Sequence, residues 1–530
     1  MSTHRVARRL ALAMALVLTV VFGPPSPSVH ASDHLRKVES ALARWDLAAA
    51  NAALEGARAG VERDVKRGIV AVYEARYAEA EEILAGALAS GALTRGSAAE
   101  EEARHYLALA RGSQRALGNA TTILSPDGTV EAVFADPKDA ILAPYLFEAM
   151  QEAREALALE LGVRPDHPVR FEFFDDPLKL AMVTPLTVEN IRTTGTVGVT
   201  KYRRIMMITP RVMVYGYGWL DTAVHEYVHY LLTIRTDNRA PVWLQEGLAK
   251  LLETRWRRAD PEPLDSAVAH RLHRAIVRDE LVTLDEMYPS VAMLPSAEKA
   301  ALAYAEVETM LGLVRERRGA AGIEVLLDRV AAGDDAQEAL ATAWGAGFDD
   351  FMAEWKKVTR VRTAKAEDGE IDRPIFKSGD EDESADHLED VFSHLGGGRA
   401  RQHARLGSLL HARGHDEAAT LQYEKARKVD GRARRDPTLA RRLGTLYVKI
   451  GRFAEAVPLL EIAAAEEPDD ANLAAAHGRA LLKSGDRAAA RAALGRAVRV
   501  NPFIPSLHCD LAELAEDDAT RMRESALCRD

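Results

Sequence analysis

Val224-His225-Glu226-Tyr227-Val228-His229 sets two histidines four residues apart around a glutamate. An α-helix turns about 100° per residue, so His225 and His229 leave nearly the same face one turn apart and can put both imidazoles on one small ion. Glu226, one residue further round, lies beside the open position of such an ion, where a general base for water belongs. A catalytic zinc site takes three protein ligands and leaves a fourth position to solvent. The candidate third ligand is Glu246, in Trp243-Leu244-Gln245-Glu246-Gly247-Leu248-Ala249. Two nitrogens and a carboxylate oxygen suit a single Zn2+ ion better than magnesium or calcium, which prefer oxygen alone.

Two helices must position these groups. Val224, Val228 and Leu231 form an apolar stripe beside the histidine face, and Leu244, Leu248, Leu251 and Leu252 repeat at helical spacing after Pro241. A loop from Arg235 to Ala240 would turn the second helix antiparallel to the first and bring Glu246 back against His229. The competing reading is a chance motif of structural histidines. A mostly buried helix makes that costly, because each polar group it carries then needs a partner.

The HExxH motif followed by a glutamate in W-L-x-E-G-L-A resembles the gluzincin metallopeptidases, above all bacterial peptidase MA-like domains, relatives of thermolysin and aminopeptidase N. The resemblance covers about Thr121 to Arg360 and implies that His225, His229 and Glu246 bind the zinc while Glu226 activates water. It further implies that Tyr304, in Ala303-Tyr304-Ala305-Glu306-Val307, hydrogen-bonds the oxyanion; the alternative is a core aromatic packing a helix from Ala300 to Arg315. The strand before the zinc helix, within Gly195 to Thr209, would pair with substrate backbone by the same resemblance, or be an ordinary sheet strand. Aminopeptidase N-type enzymes hold the substrate amine with G-x-M-E-N. Leu186-Thr187-Val188-Glu189-Asn190 keeps only the Glu-Asn pair, and Glu189 reads as a surface carboxylate.

The 530 residues suffice for two to four domains, and a hydrophobic content of 47% is ample for real cores. A net charge of -11 without a basic cluster argues against nucleic acid. Residues 1–31 have the form of a signal peptide: Arg5, Arg8 and Arg9, an apolar run from Leu10 to Phe22, then Val29-His30-Ala31. No cysteine follows that run for a lipid anchor and no later stretch is long and apolar enough to cross a membrane, so the expected location is periplasmic or secreted.

Residues 32–120 are helical in period, with Gly68, Ala71, Ala80, Leu84 and Ala87 at offsets used by tetratricopeptide (TPR) repeats. Residues 121–360 form the peptidase lobe. It begins as a mixed lobe with strands at Thr129 to Phe134, Val169 to Phe174 and Ile205 to Thr209 and a helix from Lys138 to Leu161. Helices then follow over Leu264 to Tyr288 and Ser296 to Thr359, broken at Gly319, with Trp344, Phe348, Phe351 and Trp355 as a core stripe. Residues 361–400, with Asp380-Glu381-Asp382-Glu383 and Gly396-Gly397-Gly398, read as a solvated linker rather than a calcium loop.

From 401 to 530, Gly444, Tyr447, Gly451, Ala456, Leu460, Ala463 and Pro468 recur thirty-four residues later as Gly478, Leu481, Gly485, Ala490, Leu494, Ala497 and Pro502. This resembles TPR arrays, whose stacked hairpins offer a concave face to peptides or partner proteins. Cys509 and Cys528 could pair across the last hairpin or remain buried thiols.

The expected fold is an α+β zincin-type metallopeptidase domain flanked by all-α TPR-like hairpins, with a C-terminal α-solenoid. The expected activity is zinc-dependent hydrolysis of peptide or protein substrates. The alternatives are a catalytically silent TPR scaffold and an aminopeptidase-type exopeptidase.

Overall fold

The computed structural model describes residues 33–367, 392, 395, 398–429 and 431–528. The expected leader at 1–31 and the acid run at 380–383 lie outside the described residues. No described helix is long and apolar enough to cross a membrane. The described residues form two compact units: 33–209 with 221–367, and 210–220 with 392 onward.

The first unit opens with five helices: α1 Asp33–Ala43, α2 Leu47–Gly56, α3 Val61–Tyr73, α4 Tyr77–Ala89 and α5 Ala98–Leu117. α3 and α4 approach closely because Gly68 has no side chain; a Cβ there would stand 2.6 Å from Leu84 Cγ. Strands β1 Thr121–Leu124, β2 Val130–Phe134, β3 Val169–Phe174, β4 Gly198–Lys201 and β5 Arg204–Ile208 form one sheet in the order β1-β2-β3-β5-β4. The β2-β3 and β3-β5 pairings are parallel, and both edge pairs are antiparallel. α6 Ala143–Leu161 makes the crossover from β2 to β3, and the short helices α7 Pro177–Val183 and α8 Val188–Thr194 precede β4.

Side chains alternate across a strand, so the sheet has two distinct faces. On one, the buried Glu172 carboxylate accepts from Tyr77 Oη of α4 at 2.7 Å and from Arg170 Nε at 2.8 Å, with Arg204 Nε at 3.3 Å. Arg204 also donates to Val72 O and Ser113 Oγ and lies over the Tyr77 ring. The N-terminal helices are thereby fastened to that face. Burial pushes the Glu172 carboxyl up, but Arg204 and Arg170 outweigh it and hold the group below its ordinary value.

Three sequence expectations are corrected here. The helix expected from Lys138 starts as a 3-10 turn, Pro137–Leu142, and becomes α-helical only at Ala143. Pro144 explains this, since a proline without an N–H is tolerated in a first helical turn and not inside one. The segment expected as helix from Leu264 to Tyr288 holds α11 Ser266–Arg278, which stops where Asp279 turns left-handed (φ 56°). The single element expected within Gly195 to Thr209 is a hairpin, β4 and β5, joined at Tyr202 and Arg203, both left-handed. The first unit is completed by α9 Trp219–Arg235, which belongs to it from Asp221 onward, and by α10 Val242–Leu252, α12 Ala297–Ala332, α13 Ala336–Trp344 and α14 Phe348–Arg362. α12 departs from helical geometry at Gly319, where the sequence marks a break.

In the second unit, helices pair as hairpins: α15 Arg399–Ala412 with α16 Asp416–Val429, then, after the short α17 Gly431–Arg435, α18 Pro437–Lys449 with α19 Phe453–Glu466. α20 Ala471–Lys483 pairs with α21 Arg487–Val500, and α22 Pro505–Leu514 with α23 Asp518–Leu527. One packing rule repeats. A Cβ at Gly407, Gly444 or Gly478 would come within 2.5–2.8 Å of the residue sixteen positions on, respectively Tyr423, Leu460 and Leu494. Gly68 and Leu84 in the first unit obey the same offset. Residues 210–220 lie with the second unit, where Tyr217 N–H and Trp219 Nε1 donate to the Val500 and Val498 carbonyls. Cys509 and Cys528 form a disulfide across the last hairpin.

Seven residues after each of those glycines the chain turns left-handed between its helices, at Gly414, Gly451 and Gly485, whereas the first unit has Ala75 there with φ 57°. Ala75→Gly should therefore raise the unfolding free energy of the first unit by about 1 kcal/mol, read as a higher urea midpoint, because a Cβ is strained in that conformation. Glu172→Ala acts oppositely. It leaves Arg204 buried without its carboxylate, and calorimetry should show a loss of about 3–5 kcal/mol.

Candidate metal centre

α9 and α10 are joined by 236–241, where Asp237 and Asn238 take left-handed turns (φ 52° and 57°) that their short polar side chains tolerate. The turn folds α10 back along α9. Three ligand atoms meet: His225 Nε2 lies 3.2 Å from His229 Nε2, and Glu246 Oε2 lies 3.5 Å from the first and 3.3 Å from the second. Among the described residues this is the cluster of three histidine or carboxylate groups able to hold a metal ion.

These spacings can be tested against zinc. A tetrahedral ion with ligand bonds of about 2.0–2.1 Å has ligand-to-ligand edges of roughly 3.3 Å. The chemistry agrees. Glu253 Oε2 sits 3.1 Å from His225 Nδ1. A neutral imidazole has one N–H, so the carboxylate takes it and leaves the Nε2 lone pair aimed at the cluster. Glu246 Oε2 is buried and accepts no hydrogen bond of proper geometry. Three acceptors facing one point call for a cation.

Electrostatics point the same way. Burial disfavours a charged His225, yet the nearby Glu246 and Glu253 carboxylates outweigh it and raise its pKa to about 10. Burial pushes the Glu253 carboxyl up, but Lys250, whose Nζ lies 2.5 Å from Glu253 Oε1, and His225 hold it below its ordinary value.

Glu226 is buried and is not one of the three grouped ligands. Thr200 Oγ1 donates to it, lying 2.7 Å from Oε2 and 2.8 Å from the main-chain oxygen. A Cβ on Gly198 would stand 2.7 Å from Oε1. Tyr304 is held protonated first by burial and then by the negative charges of Glu246, Glu226 and Glu253. Gly247 lets α10 press on α12, because a Cβ there would meet Leu311 Cδ1 at 2.6 Å and Val307 O at 2.8 Å. Asn190 completes a capping box with Thr187 at the start of α8, and Glu189 is exposed.

Sequence reasoning missed Glu253, Thr200 and Gly198. Glu253 was findable, since it stands seven residues after Glu246 and two helical turns return to the same face. The other two depend on strand register, which no local pattern reveals. Glu253→Ala should weaken zinc binding about 10- to 100-fold, read by competition with a chelator, while circular dichroism stays unchanged.

No curated protein matches this chain. A solved structure titled "Crystal structure of APC/C hetero-tetramer Cut9-Hcn1" aligns over 97% of this chain and 98% of that one at 13% identity, but at a TM-score of 0.19 it carries no argument. Residues 149–361, less than half of the chain, match the family model described as Peptidase MA superfamily, and this stretch holds β3, the β4-β5 hairpin, α9, α10 and α12. The match supports a peptidase MA-like domain within the chain.

Proposed function

We propose that this chain is an exported zinc-dependent metallopeptidase of gluzincin type, with one Zn2+ held by His225, His229 and Glu246. The observation that carries this reading is the triangle of two Nε2 atoms and one carboxylate oxygen with sides of 3.2–3.5 Å, next to a separate buried carboxylate, Glu226. A bound zinc ion supplies Lewis acidity, polarising the scissile carbonyl and acidifying water.

Glu226 takes the proton from that water and passes it to the leaving amine. Tyr304 keeps its proton through burial and then through nearby negative charge, and can give a hydrogen bond to the oxyanion. The edge strand β4 offers its free side to the backbone of an extended substrate. Glu253 keeps the His225 lone pair on Nε2.

Cleavage within unfolded polypeptides is favoured over aminopeptidase action, because Asn190 is engaged in a helix cap and Glu189 is exposed, which leaves no pair to anchor a substrate amine. The hairpins of the second unit would bind a protein substrate or partner on their concave face. Export to the periplasm or exterior fits the Cys509–Cys528 disulfide, a bond that oxidising compartments sustain.

Purified protein should carry one zinc per chain and cleave a denatured protein. Glu226→Gln should keep the zinc and lose about 10²- to 10⁴-fold in turnover. His229→Ala should lose the zinc itself. Equal turnover by the parent and Glu226→Gln would leave a scaffold instead.

A further inference from the structure

We propose that Thr200, on the edge strand β4, is a positioning residue for the general base: its hydroxyl ties down one oxygen of Glu226 while the bare Cα of Gly198 makes room for the other. The inference rests on the hydrolytic reading above and goes beyond it by assigning the strand a part in the chemistry.

Three observations carry it. Thr200 Oγ1 stands 2.7 Å from Glu226 Oε2 and 2.8 Å from the Glu226 main-chain oxygen, so its single proton is offered to two acceptors of the same residue. The second contact pins the strand to the helix backbone as well as to the side chain. Gly198 faces the same carboxylate two residues earlier, and a methyl group there would lie 2.7 Å from Oε1 and 2.8 Å from Cγ. Register makes the pair a unit. Gly198 opposes Met207 and Thr200 opposes Ile205, so both lie on the face turned towards α9, while Val199 and Lys201 face the other way.

A carboxylate on a flexible side chain is a poor base unless one rotamer is held. With Oε2 engaged by a hydroxyl donor, Oε1 is left as the oxygen that meets water. Serine at 200 would keep that donor. Valine, of nearly the same shape, would not.

The test compares the parent, Thr200→Val, Thr200→Ser and Gly198→Ala as full-length zinc-loaded chains, measuring zinc content, Tm, and kcat and KM on an internally quenched peptide. The expected result is a fall in kcat of about 10- to 100-fold for Thr200→Val, with KM and zinc content unchanged and most of the rate recovered in Thr200→Ser. Gly198→Ala should also lower kcat at full zinc occupancy. A Thr200→Val rate equal to the parent's, or a Thr200→Ser rate as low as that of valine, overturns the proposal while leaving the peptidase reading intact. An inactive parent overturns both.

A thermal cycle gives a readout apart from activity. If the contact is as described, the Tm losses of Thr200→Val and Glu226→Ala are less than additive in the double variant. Additive losses refute the contact.

Discussion

Three lone pairs aimed at one point between two largely apolar helices are the constraint around which the first unit is arranged. Acceptors 3.2–3.5 Å apart repel one another, and burial strips away the water that would otherwise screen them. The cluster therefore needs positive charge, supplied by a proton or by a cation. The hold of Glu246 and Glu253 on His225 measures that demand. Divalent zinc would meet it with two charges and three bonds, so electrostatics and motif favour the same candidate metal site.

Meeting that constraint takes help from outside the two helices. Glu253 fixes the tautomer of His225, and Lys250 compensates the charge of Glu253, so the cluster is embedded in a chain of alternating charge. Gly247, directly beside Glu246, lets α10 lie on α12 at a distance no side chain would permit. The same contact brings the helix carrying Tyr304 to the cluster. One glycine thus serves both the placement of Glu246 and the approach of the helix that carries Tyr304.

What the sequence made legible was whatever repeats locally. The HExxH spacing and the distal glutamate follow from helical period, and the solenoid follows from the thirty-four-residue recurrence, whose glycines the structure packs on a large residue sixteen positions on. Tertiary placements stayed hidden. Thr200 reaches Glu226 across twenty-six positions only because β4 pairs with β5 in one register. The shortened α6 and the early end of α11 were misread because apolar period outweighed two local signals, Pro144 near a helix start and Asp279 in a left-handed turn. The pairing of Cys509 and Cys528, open in sequence, is decided by the last hairpin, which brings the end of its second helix back against the first.

That register is set on the opposite side of the sheet. Glu172, Arg204 and Tyr77 form a buried charged network against the N-terminal helices, and Arg204 opens β5 immediately after the two-residue turn. Strand alternation leaves no freedom after that: with Arg204 on one face, Ile205 and its partner Thr200 must occupy the other. A slip of one residue would bury the hydroxyl among Tyr73, Tyr106 and Tyr202 and turn the Lys201 ammonium towards the face that holds Glu226. The helical hairpins ahead of the sheet are therefore more than a cap. By claiming the charged face, they determine which side chains of β4 meet Glu226.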